Sequence, residues 1–89
     1  MPRYLDVSMQ HISPDTSEFL EFISGTDAIS ATVAAYDYGF FLTVPPMGIH
    51  PDVPDDLRKV MEYAKLNQAS LIQFDADGAF HPVLPTFED

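Results

Sequence analysis

Fourteen Asp and Glu residues, three His and no Cys are the side chains with which this 89-residue chain can do polar chemistry. The carboxylates fall at two telling spacings. Asp15, Glu18 and Glu21 recur at every third residue, which on a helix sets neighbouring Cβ atoms about 5–6 Å apart. Asp37, Asp75 and Asp77 stand in Asp37-Tyr38-Gly39 and Asp75-Ala76-Asp77-Gly78, residue types that turn a chain. Carboxylates displayed in this way engage the same Lys and Arg side chains that bind the phosphates of a nucleic acid. The other chemistry open to them is acid–base catalysis, which needs acids pressed together so that one raises the pKa of the next. Turns and helix surfaces supply no such cleft, so we expect no catalytic carboxylate.

His11, His50 and His81 lie at element ends or in loops, with no helical i, i+4 pair and no short ligand motif between them. They are expected to be ordinary hydrogen-bonding histidines rather than metal ligands, with His11 steadying the passage into a helix that starts at Ser13. Asp75-Ala76-Asp77-Gly78 opens like a calcium loop but lacks the third oxygen ligand and the closing Glu. A hairpin turn with Gly78 at positive φ is the simpler expectation. No G-x-S-x-G elbow occurs, and the four glycines are scattered singly, so no phosphate-cradling loop forms. We therefore expect no enzyme activity, no metal and no cofactor.

The elements that must position these residues follow from periodicity. Tyr4 to Met9 alternates, with Leu5, Val7 and Met9 on one side of a strand. Ser13 caps a helix, Pro14 suits its first position, and Thr16, Phe19, Leu20 and Ile23 recur along it up to Gly25. Ile29 to Ala35 alternates as a second strand, Asp37-Tyr38-Gly39 turns, and Phe40 to Val44 forms its hairpin partner. A proline-rich loop leads to a second helix over residues 54–68, where Leu57, Val60, Met61 and Ala64 make the apolar stripe, and Asn67 marks its end. Leu71 to Phe74 is a strand, and Ala79 to Val83 is expected to return as a short edge strand limited by Pro82. The order β-α-β-β-α-β, with an extra β at the end, predicts an α+β, ferredoxin-like (split βαβ) domain over residues 1–89, an antiparallel sheet with two helices on one face. Its core is predicted to hold Leu5, Val7, Phe19, Leu20, Ile23, Ile29, Val33, Phe40, Leu42, Leu57, Val60, Met61, Ile72 and Phe74. The uncovered face would then show Tyr4, Asp6, Ser8, Ser30, Thr32, Tyr36, Phe41, Thr43 and Gln73.

Charge narrows the partners. The chain carries four bases against its fourteen acids, a net charge of −10. Three acids and three bases sit between residues 54 and 68, leaving eleven acids and only Arg3 elsewhere, including Asp27, Asp52, Glu88 and Asp89. Such a chain cannot neutralise phosphates, so direct nucleic-acid binding is excluded as a main activity. At 46% hydrophobic residues it is too apolar for a disordered tail, and no apolar run reaches the length of a membrane helix. The N-terminal residues have no signal-peptide core, so a cytoplasmic chain is expected.

Several short pieces together resemble a small, uncharacterised bacterial domain family often carried on mobile or accessory elements. They are His11-Ile12, Tyr38-Gly39-Phe40-Phe41 into Val44, Val53-Pro54-Asp55-Asp56-Leu57, Asp75-Ala76-Asp77-Gly78 and Leu84-Pro85-Thr86-Phe87. Members often have tryptophan in the aromatic strand and a Cys-Asp-Trp stretch before the turn, where this chain has Phe40 and Ser70-Leu71. The resemblance implies a compact domain and a mobile-element context, and it brings no activity with it.

Composition and spacing together lead to the expectation of an acidic, non-enzymatic interaction protein. In its sharpest form it is a nucleic-acid mimic of the anti-CRISPR or anti-restriction type, placing Asp15, Glu18, Glu21, Asp37, Asp75 and Asp77 in a basic protein groove. The alternative is a homodimeric structural or regulatory module that recognises protein through Tyr4, Tyr36 and Phe41, since aromatics are favoured at interfaces.

Overall fold

The computed structural model describes residues 3–26, 28–29, 31–46 and 48–87. Asp27, Glu88 and Asp89, counted above among the acids, and Ser30, expected on the uncovered face, lie outside the described residues. The elements are β1 (Tyr4–Ser8), a single 3-10 turn (Met9–His11), α1 (Pro14–Ile23), β2 (Val33–Tyr36), β3 (Gly39–Thr43), α2 (Asp55–Leu66) and β4 (Leu71–Asp75). This is the α+β order read from the sequence, two helices against a four-stranded sheet.

Local chemistry sets the helix ends. The Ser13 hydroxyl accepts the Thr16 N–H at 3.2 Å, satisfying one of the donors that every helix start leaves free. Pro14 occupies the first turn, and Ser24 closes α1 just before Gly25, whose φ of +82° no side-chain-bearing residue adopts cheaply. Asp55 and Asp56 sit at the positive end of the α2 dipole and Lys65 at the negative end.

The strand order is β1-β4-β3-β2. The pairs β2–β3 and β3–β4 are antiparallel as expected, but β1 lies parallel to β4, so the sheet is mixed rather than wholly antiparallel. Alternation cannot distinguish the two directions, because either one turns the same side chains inward. Val7, Ile72, Phe74, Phe40, Leu42 and Val33 bury one face against Leu20 and Ile23 of α1 and Leu57, Val60, Met61 and Ala64 of α2. Leu5 and Phe19 are only partly buried at the rim of this core. The second strand is shorter than alternation suggested: Ile29 and Ala31 are buried but precede β2.

The expected return strand at Ala79–Val83 is not a strand. After β4 the chain turns and runs as an irregular strap along the outer edge of β1 towards α2. Ala79 O accepts the Ser8 N–H at 2.9 Å, His81 Nε2 donates to Asp6 O at 2.8 Å, and the His81 ring meets Tyr63 of α2 edge-on at 5.1 Å. Gly78 permits this path, though its φ is not positive as a hairpin would require. A Cβ there would fall 2.4 Å from Val7 O, so the strap can pass β1 only without a side chain. At the other edge, Gly25 N–H bonds Val33 O at 3.0 Å and the Ser24 hydroxyl accepts Ala35 N–H at 3.3 Å. Both sheet edges are thereby covered, which removes the usual templates for strand addition.

His11 anchors the strap. It is fully buried, its Nδ1 lies 2.7 Å from Pro85 O, and its Nε2 lies 2.9 Å from His81 N. A carbonyl only accepts and a backbone N–H only donates, so the ring is the neutral tautomer with its proton on Nδ1. The histidine expected to steady a strand-to-helix junction also ties together residues 74 positions apart.

Candidate functional site

The sheet face turned away from both helices is a grid set by strand register. One row runs Ser8, Asp75, Gly39, Tyr36; the next Asp6, Gln73, Phe41, Ala34; the third Tyr4, Leu71, Thr43. Tyr4, Asp6, Tyr36, Phe41, Thr43 and Gln73 thus share this face as expected. Ser8 does not remain open, because the strap bonds its N–H and the 3-10 turn bonds its hydroxyl, leaving it buried.

Gly39 stands in register between Tyr36 and Asp75 and presents no side chain of its own. The Tyr36 phenol therefore spans β3 and donates to Asp75 Oδ2 at 2.6 Å, while accepting from Gln73 Nε2 at 3.2 Å. Asp75 Oδ1 takes the Asp77 N–H at 2.8 Å, which closes the turn. The Tyr36 ring is packed as well as hydrogen-bonded: Phe41 lies 4.9 Å from it at a tilt of 32°, and Tyr38 stands edge-on at 6.3 Å. Burial raises the Tyr36 pKa, and its hydrogen bond to Asp75 raises it further. The same bond, with that from Asp77 N–H, holds the Asp75 carboxyl below the usual Asp range.

The six acids singled out in the sequence divide between two places. Asp37, Asp75 and Asp77 gather where β2 meets β3 and where β4 ends, at one end of the open face. Asp15, Glu18 and Glu21 are exposed on α1, in the layer behind the sheet. Among the described residues no Lys or Arg lies within 4.0 Å of a carboxylate, and the His50 Nδ1 that lies 3.9 Å from Asp52 Oδ2 accepts the Asp52 N–H, so none of these six is paired with a base. Arg58, Lys59 and Lys65 all belong to α2, and the Arg58 guanidinium reaches the carbonyls of Pro51 and Val53 at 3.4 Å instead of a carboxylate. Arg3 precedes β1, at the far end of the sheet from Asp75.

Sequence reasoning did not anticipate Tyr38, 65% exposed beside Tyr36, because turn residues are read for backbone preference and not for the ring they carry. Among the described residues no group of three His, Asp or Glu side chains converges on one point where an ion could sit. Nor is any helix there long and apolar enough to cross a membrane.

No curated protein and no solved structure matches the chain. The model of a family described as "Family of unknown function (DUF5983) C-terminal domain" matches residues 4–89, taking in every strand of the open face, both helices and the strap. The uncharacterised family that the short motifs resemble thus has a counterpart in a match across nearly the whole chain, and the protein belongs to the DUF5983 C-terminal domain family.

Proposed function

We propose that this chain is a non-enzymatic interaction module that binds a basic surface of another protein through its open sheet face and the acidic end of that face. The observation that carries this reading is where the bases stand, since acids lie on both sides of the sheet, with Asp15, Glu18 and Glu21 on α1 behind it. Asp6, Asp37, Asp75 and Asp77 lie on or at the end of the open face, while three of the four bases lie on α2 behind the sheet. Aromatic rings at the centre of such a face supply apolar area, and the carboxylates around them supply steering and register. In its sharpest form the module is a nucleic-acid mimic of the anti-restriction or anti-CRISPR kind, with carboxylates held where phosphates would lie.

A second copy of the chain is a poor occupant. In a two-fold contact each patch meets itself, which would set the carboxylates of one face against those of the other. The bonds already made along both sheet edges count against pairing strand to strand as well.

The test is capture of partners by the full chain at low and at high salt, followed by affinity measurement against the partner so identified. A basic partner is expected, with affinity that falls as salt rises and falls again with Asp37→Asn plus Asp77→Asn. Glu18→Gln plus Glu21→Gln then asks whether the α1 carboxylates contribute. Binding that ignores salt and both double variants would refute the reading, as would a dimer in light scattering held by Phe41.

A further inference from the structure

We infer that the cation taken by the open face is an arginine, held against the Tyr36, Tyr38 and Phe41 rings with its guanidinium directed at Asp75. This rests on the reading of the face as a site for basic protein and names the side chain it selects. Tyr36 and Tyr38 meet at 74° and 6.3 Å, so their ring faces form a corner, and Tyr38 leaves most of its surface to solvent. The Tyr36 side of the corner is fixed before any partner arrives, by Asp75, Gln73 and the neighbouring Phe41 ring. Each Asp75 oxygen has accepted one internal hydrogen bond and keeps a further lone pair.

A planar, delocalised guanidinium lies flat on a ring and aims N–H donors sideways at a carboxylate in the same contact. A lysine ammonium satisfies the charge but has no plane to stack and is more strongly hydrated. The face holds both partners that an arginine needs, a ring and an ionised carboxylate, joined through the Tyr36 hydroxyl. No Lys or Arg of this chain stands in the described rows of the face to fill the corner from within.

The experiment titrates the full chain with an octapeptide of alternating arginine and glycine, with its lysine counterpart, and with a citrulline version that keeps shape and loses charge. Binding is followed by calorimetry and by amide NMR shifts. We expect the arginine peptide to bind about tenfold tighter than the lysine peptide, the citrulline peptide not to bind, and shifts centred on Tyr38, Gln73 and Asp75. Tyr38→Ala, an exposed position whose truncation leaves the fold intact, should weaken the arginine peptide about fivefold and the lysine peptide little. Equal affinity for the two cationic peptides overturns the arginine assignment and leaves the basic-surface reading standing. Shifts confined to Asp15, Glu18 and Glu21 overturn the site. Failure of both cationic peptides at low salt overturns the assignment together with the reading beneath it, and so does a face already occupied by a second copy.

Discussion

On the helix side of the sheet, Asp56 receives the Thr16 hydroxyl at 2.7 Å and the Ser13 N–H at 2.7 Å, joining the start of α2 to the start of α1. On the open side, Asp75 receives the Tyr36 hydroxyl at 2.6 Å and the Asp77 N–H at 2.8 Å. The donors are alike in kind, hydroxyl and backbone N–H, and both carboxyls are held below the usual Asp range. For Asp56 that outcome is a contest: burial works against the charge, and hydrogen bonds from Ser13, Thr16 and Leu57 outweigh it. Its partners lie 40 and 43 residues away on another helix, so its ionisation is coupled to tertiary structure. Asp75 stays open to water and its bonds fix a ring and a turn at the surface. The same polar pairing closes the fold on one side and arranges a surface on the other.

Breaking the internal polar contacts should have the larger consequences, and the fully buried His11, which ties the strap down, comes first. His11→Ala would leave a cavity and strand Pro85 O and His81 N–H without their ring partner. A loss of about 3 kcal/mol in urea unfolding is expected, with faster amide exchange through residues 80–87. A loss under about 1 kcal/mol would show that the strap is held by Leu84 and the backbone instead. Asp56→Ala comes next. It removes the acceptor for the buried Thr16 hydroxyl and the half-buried Ser13 N–H, and about 2 kcal/mol is the expected cost.

Acid distinguishes Asp56 from a packing residue. Its pKa is lower in the folded chain than the roughly 3.9 of an unfolded Asp, so the folded state binds its proton less readily. The stabilisation is therefore fully present well above pH 4 and is lost as pH falls through that region towards the depressed folded value. The gap in unfolding free energy between the native chain and Asp56→Asn should narrow on going from pH 7 to about pH 3. A gap that is constant with pH would mean that the carboxylate contributes shape and not charge.

Much of this arrangement was legible in the residues, and the exceptions share a cause. Alternation and helical spacing are local, and they placed twelve of the fourteen expected core side chains among the buried ones, with Leu5 and Phe19 at the rim. They also put Tyr36 and Phe41 on one face, because side-chain period in a strand is fixed by the pleat. What the sequence concealed depends on residues far apart in the chain. The parallel seating of β1 beside β4, the strap in place of a fifth strand and the His11–Pro85 bond are settled only when both ends of the chain meet. Asp56 is a helix-start acid that complements a dipole, and nothing local announced that Ser13 and Thr16 would be its partners. The acids Asp75 and Asp77 suggested a turn, correctly, but not that a tyrosine on β2 would cross a glycine to reach Asp75.

The smallest effect tests the open side most directly. Asp75→Asn leaves the core, both helices and the strap untouched, so the unfolding midpoint should move little. What should move is the titration of Tyr36. A phenol that donates to a carboxylate is stabilised in its neutral form, since ionising it would set two negative charges together. Replacing that carboxylate by an uncharged amide removes the penalty, so the Tyr36 pKa should fall back towards the ordinary tyrosine range. It should stop short of that range, because burial, the largest cause of the rise, remains. Ultraviolet difference absorbance in a background where Tyr4, Tyr38 and Tyr63 are Phe would follow this one ring. An unaltered titration would mean that Asp75 does not hold the ring, leaving Gln73 and Phe41 alone to order this part of the face.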